Sequence, residues 1–126
     1  MRAVDTNVLV RLIARDDPKQ VASAEEFVKA GAWVSHVVLA ETTWVLASSY
    51  DRTAAQIAMA LEMLIHHDHL RIQDADVVEA ALEQFRKRPA LGFSDCLIVE
   101  VARQAGHLPV GTFDRDLARL EGAERL

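Results

Sequence analysis

Met1-Arg2-Ala3-Val4-Asp5-Thr6-Asn7, followed by Val8-Leu9-Val10-Arg11-Leu12-Ile13, is the stretch whose reading decides the fold. A short apolar segment stops on a carboxylate, two small polar residues follow, and an apolar-rich run begins. That order predicts strand, turn and helix, with Asp5 presented at the carboxyl end of the strand. In open α/β sheets that end is where ligands bind. One Asp does not make a site, so the question passes to whether later segments carry acids in matching positions.

Working outward, Asp16-Asp17-Pro18 reads as a helix start, with Pro18 in the first turn, where its missing N–H costs nothing. Val21, Ala24, Phe27 and Val28 recur at helical spacing, and Gly31 ends the segment. Ala32-Trp33-Val34-Ser35 is a short strand. Residues 37–48 are nearly all apolar or small, too long for one strand, and predict a buried helix carrying Glu41. Asp51-Arg52-Thr53 restarts the chain before an amphipathic helix marked by Ile57, Leu61, Leu64 and Ile65. Leu70-Arg71-Ile72-Gln73 alternates as a strand does, and Asp74 or Asp76 can cap the helix that follows, to about residue 88. After a break at residues 89–92, Ser94 is the expected cap of a helix over 95–104. Leu108-Pro109-Val110-Gly111-Thr112-Phe113 predicts a strand ending on Asp114, a short helix spans 115–120, and residues 123–126 can form a last edge strand. Strands alternating with helices predict a three-layer α/β/α sandwich around a central, mostly parallel sheet of four to five strands.

The bulk composition bounds what such a fold can do. At 126 residues and 14.0 kDa, the chain is expected to form a single domain over 1–126. A hydrophobic content of 51% against 26% charged residues places it among globular rather than disordered chains. A net charge of -5 argues against gripping nucleic acid by overall charge, while allowing a local basic patch. With Cys96 as the one cysteine, neither an internal disulfide nor a thiolate zinc cage can form. No apolar run reaches the ~20 residues of a membrane span, and no charged-then-apolar leader precedes Asp5. A reducing cytoplasm, with no membrane partner, is the expected setting.

Four carboxylates have neighbours that do not suit a solvated surface. Asp5 follows Ala3-Val4, and Glu41 is the one ionisable group between Val37 and Ala47. Asp95 stands between Phe93-Ser94 and Cys96-Leu97-Ile98-Val99, and Asp114 follows Thr112-Phe113. Capping can explain Asp5 and Asp114, and a first-turn position favours Asp95 by roughly 0.3–1 kcal/mol through the helix dipole. Neither explanation reaches Glu41, which lies mid-helix. Carboxylates gathered within a few ångströms raise one another's pKa and destabilise a fold unless a cation or a proton compensates them. With oxygen donors alone the cation would be hard, Mg²⁺ or Mn²⁺, and such a metal suits phosphate chemistry. Asn7 and Thr112 add neutral hydrogen-bonding groups, and Asp116 is either a fifth acid or a solvated first-turn residue.

This set of residues resembles the PIN-domain nucleases, and most closely the VapC-type toxins of type II toxin–antitoxin modules. The resemblance spans the whole chain and rests on Asp5-Thr6-Asn7, Glu41 in the apolar third helix, Ser94-Asp95-Cys96-Leu97-Ile98 and Thr112-Phe113-Asp114, in that order. It implies an endoribonuclease that cuts single-stranded RNA (tRNA, rRNA or mRNA) with one or two Mg²⁺ or Mn²⁺ ions. Asp5, Glu41, Asp95 and Asp114 would be the catalytic and metal-binding residues, with Asn7, Thr112 and Asp116 in support. The family often has Ala where Cys96 stands, a harmless packing difference. The resemblance also implies a homodimer and a cognate antitoxin that blocks the site. Surplus apolar surface on the 37–48 helix, with Trp44, is either core or such an interface. Arg11 and Arg15, four apart, and Arg86-Lys87-Arg88 are candidate RNA phosphate contacts, or else a solvated charged face.

Other readings compete. A receiver-type signalling domain is also α/β and binds Mg²⁺ through acids, but it needs a lysine at the end of its last strands, and Lys19, Lys29 and Lys87 are elsewhere. A catalytically silent PIN-like binding module is disfavoured by four retained acids. A housekeeping RNA-processing nuclease keeps the chemistry and changes the role. His66-His67-Asp68-His69 reads as a helix end rather than a metal site, and Cys96 as a small buried residue with no histidine beside it.

Overall fold

Strand β1 (Arg2–Ala3) gives way at Asp5 to α1 (Thr6–Ala14), and the Asp5 carboxylate takes the N-cap, accepting from the Val8 N–H at 3.3 Å. The turn is therefore built by the residue that the sequence places there. The computed structural model describes residues 1–126 as two compact units, Met1–Ala75 and Asp76–Leu126.

The first unit holds a parallel three-stranded sheet in the order β1-β2-β3, from β1, β2 (Ala32–Val34) and β3 (Leu70–Ile72). Ala3 pairs with Trp33, and the Val4 N–H donates to the Trp33 carbonyl at 3.2 Å, so Asp5 and Ser35 leave neighbouring strands at the same edge. Between the strands run α2 (Pro18–Val28), α3 (His36–Ser49) and α4 (Ala54–Ile65). Each start has a local cause. Asp17 caps α2 with Pro18 behind it, Ser35 caps α3, and Thr53 with Gln56 forms a reciprocal capping box on α4. Leu9, Val10, Val28, Val34, Leu39, Leu46, Leu61 and Leu64 make the fully buried core. Truncating one of these leucines to Ala should cost about 2–5 kcal/mol.

The second unit contains α5 (from Ala75, at the boundary, to Lys87), α6 (Phe93–Ala105), β4 (Val110–Thr112), a 3₁₀ turn (Leu117–Arg119) and β5 (Ala123–Arg125). Its core is centred on Phe85 and Phe93, which meet edge-to-face at 6.3 Å. β4 and β5 pair in parallel, Val110 opposite Ala123. The fold is α/β with parallel strands, as the alternation of elements predicts. The five strands hydrogen-bond as a three-stranded and a two-stranded sheet rather than as one ladder.

Four local expectations are corrected. Glu41 is exposed, not buried, because Leu39, Thr42, Thr43 and Leu46 turn inward and leave Val37, Glu41 and Trp44 on an outward stripe. Ser94 does not cap α6; the helix starts two residues earlier than expected, on buried Phe93, and Gly92 is the N-cap with no side-chain hydrogen bond. Asp74 takes a left-handed conformation, φ 42°, at the turn into α5. The short helix expected over 115–120 contracts to the 3₁₀ turn.

Candidate metal and nucleic-acid site

Asp5 is exposed, and its hydrogen bond uses Oδ1 alone, so Oδ2 is unbonded. Asn7 follows in the first turn of α1, also exposed. Glu41, in the second turn of α3, makes no hydrogen bond or ion pair and faces solvent between Val37 and Trp44. The start of α3 is fixed by a clasp that sequence reading does not reveal. The His36 backbone N–H donates to Gln73 Oε1 at 2.9 Å, and the His36 ring Nε2 bonds the Gln73 carbonyl at 2.7 Å. It joins the ends of β2 and β3, residues thirty-seven apart, so no local pattern could signal it.

In the second unit Asp95 lies in the first turn of α6 and is half-buried. Burial first, and the Asp114 charge second, hold its carboxyl above the ordinary 3.8. No cationic side chain or hydrogen bond compensates it. Asp114 is differently placed. Exposed after β4, it accepts on Oδ1 from the Asp116 N–H at 2.8 Å and the Leu117 N–H at 3.2 Å, which builds the turn into the 3₁₀ segment. Thr112 Oγ1 accepts from the Asp114 N–H at 2.9 Å and fixes that turn from the other side. Asp116 is exposed, with no side-chain cap bond.

The structure thus couples Asp95 with Asp114, and sets Asp5 beside Asn7 on one turn. No group of three or more His, Cys, Asp or Glu side chains is gathered closely enough to hold a metal ion. The donors still fit a hard divalent cation by type: oxygen ligands, two with a spare carboxylate oxygen, and a half-buried Asp95 without a counter-charge. Cys96 does not join them. Its thiol is buried and pushed up to about 11, chiefly by that burial, and so is neither nucleophile nor ligand at neutral pH. Buried Glu100, which sequence reading passes over, is occupied by Arg103 at 3.3 Å, and Arg103 in turn donates to the Glu121 carbonyl.

The basic candidates divide. Arg11 is half-buried and engaged: it donates to Gln20, to Tyr50 Oη at 2.9 Å and to Asp16 at 3.2 Å, and Tyr50 donates to Asp16. Arg15 pairs with Glu25 at 2.9 Å, and Arg86 lies 3.9 Å from Glu83. Lys87 and Arg88 are exposed at the end of α5 without a partner. The His66 ring bonds Glu62, while His67 accepts from the His69 N–H, as a helix end and its turn would have it.

The sequence matches the PIN domain family over residues 2–123. No curated protein and no solved structure gives a match.

Proposed function

The chain belongs to the PIN-domain family, whose members are generally nucleases, and from that premise we propose that it is a Mg²⁺- or Mn²⁺-dependent endoribonuclease acting on single-stranded RNA. In this reading Asp5, Glu41, Asp95 and Asp114 bind one or two ions, directly or through water, and residues 1–126 act as one catalytic domain. The observation that carries it is Asp95: a half-buried carboxyl within reach of the Asp114 charge, with no counter-charge supplied by the protein. A structure-only acid does not need that environment, whereas a cation ligand benefits from it.

The bound ion would supply Lewis acidity at the phosphoryl oxygen and a more acidic water. The chain's own residues prepare for it. Backbone N–H groups hold one oxygen of Asp5 and one of Asp114, which orients the second oxygen of each towards a ligand. Thr112 fixes the Asp114 turn, and Asn7 offers an amide to substrate or water. Lys87 and Arg88 supply phosphate contacts.

Its role in this proposal is that of a VapC-type toxin, held in the cytoplasm by a cognate antitoxin and assembled as a homodimer. The outward Val37–Trp44 stripe, with Trp44 68% exposed, is apolar surface of the kind that a partner covers. Purified protein should cut single-stranded RNA with Mn²⁺ and stop in EDTA; activity that survives EDTA would sink the metal assignment. Expression alone should arrest growth, and co-expression of a small adjacent gene should rescue it. Normal growth with active enzyme would point instead to housekeeping RNA processing.

A further inference from the structure

Between α1 and α2 the first unit has a cleft of about 440 Å³, a size at which small-ligand sites are found. Its walls are of three kinds. Val8, Ala24 and Phe27 supply apolar surface, Asn7, Gln20 and Ser23 supply amide and hydroxyl groups, and Arg11 supplies a guanidinium at the Gln20 side. Arg2 covers one face of the Phe27 ring, 3.8 Å from its centroid, and donates to the Phe27 carbonyl at 3.2 Å, so the ring is held in place. Gln20 is also held. Its Oε1 accepts from Arg11 Nε, and Arg11 is itself fixed by Asp16 and Tyr50. With its oxygen held by the Arg11 guanidinium, the Gln20 amide is oriented, and its NH2 group is left to donate. The cleft therefore combines an aromatic wall with a pre-oriented N–H donor, and opens beside Asn7, two residues from Asp5.

We propose that this cleft is a nucleobase subsite of the RNA substrate, and that Gln20 meets the edge that carries O4 of uracil or O6 of guanine, selecting these bases over cytosine and adenine, which present an amino group there. A flat ring with a polar edge matches these walls, the ring lying against Phe27 and the edge meeting Gln20, Asn7 and Ser23. The proposal rests on the ribonuclease reading for its occupant. Its chemistry lies in binding alone, so it can be tested apart from cleavage.

The test compares oligouridylate with oligocytidylate by fluorescence anisotropy in EDTA, where no cutting occurs. The uridylate should bind more tightly, by about fivefold to tenfold, the value of one hydrogen bond. Gln20→Glu should weaken both and reverse the preference, since a carboxylate accepts from the cytosine amino group. Phe27→Leu should weaken both oligonucleotides by about tenfold, the loss of one stacked base, and Phe27→Tyr should restore them. Thermal unfolding of each variant identifies a folding failure, and the ratio of the two affinities is insensitive to one. Equal affinity for the two oligonucleotides, with Gln20→Glu leaving the ratio unchanged, overturns the proposal. So does protection of the cleft by a protein segment while RNA binding is undisturbed. RNA cleavage without base preference would remove the subsite and leave the nuclease standing. Uridylate-selective binding without any Mn²⁺-dependent cleavage would do the reverse.

Discussion

The turn that ends β1 and the first turn of α6 each carry an acid, and the two acids differ in what the fold does with them. Asp5 is exposed and caps α1, so its negative charge meets the helix N-terminus and a backbone N–H. Asp95 is half-buried, its carboxylate has no hydrogen bond, and the Asp114 charge adds to the cost of ionising it. One acid stabilises the folded chain, and the other detracts from it. A residue kept where it detracts from stability is a stronger functional candidate than one with a structural task. The comparison therefore ranks the four acids. Glu41, unbonded, stands with Asp95, while Asp114, which builds a turn through two N–H groups, stands with Asp5.

The largest expected effect breaks the two acids apart on activity and stability together. Asp95→Ala should lower Mn²⁺-dependent RNA cleavage on the order of a hundredfold or more, the scale for removing a charge-stabilising group from a site, with no loss of stability to chemical denaturation at neutral pH. Asp5→Ala should lose comparable activity and also about 1 kcal/mol of stability with its cap. Asp5→Asn separates the two roles, because an amide oxygen still caps α1 while the charge is gone. Loss of both properties in Asp5→Asn would mean that the activity defect is only a folding defect.

A smaller effect sharpens the same contrast through pH. The raised pKa of Asp95 means that the folded chain binds its proton more tightly than the unfolded chain does. Ionised Asp95 therefore subtracts from stability above its folded value, and that deficit is relieved as pH falls from there towards the ordinary 3.8. Asp95→Asn should raise the neutral-pH melting temperature by a few degrees at most, since the group is only half-buried. Mn²⁺ should raise the wild-type melting temperature and have less effect on the variant. Equal Mn²⁺ shifts in the two proteins would count against Asp95 as a ligand.

Much of this was legible in the sequence wherever the cause is local. Asp5, Asp17 and Thr53 stand immediately before apolar-periodic runs, and each caps the helix that follows. Thr112-Phe113-Asp114 ends a strand where the alternation stops, and the side-chain hydrogen bonds of Thr112 and Asp114 reach no further than three residues along the chain. What escaped reading depends on partners distant in sequence or on which way a uniform face turns. Residues 37–48 are apolar on nearly every side, so periodicity could not say that Leu39 and Leu46 face in while Val37 and Trp44 face out. The His36–Gln73 clasp and the Arg11–Tyr50–Asp16 network span dozens of residues. They turn an expected phosphate-binding arginine into a brace.

The smallest expected effect concerns two serines that look alike in sequence. Ser35 and Ser94 each precede an apolar helical run and an acid, yet only Ser35 makes the cap bond, accepting from the Val38 N–H at 3.2 Å. At α6 the burial of Phe93 against Phe85 draws the helix start forward to Gly92, which leaves Ser94 exposed inside the first turn. Ser35→Ala should therefore cost about 1 kcal/mol in urea unfolding, whereas Ser94→Ala should change stability by no more than about 0.5 kcal/mol in either direction. A cost at Ser94 equal to that at Ser35 would show that α6 begins where the sequence alone suggests. It would also move Asp95 to the first helical position and change what its carboxylate faces. The serine pair thus tests the frame on which the Asp5–Asp95 comparison stands.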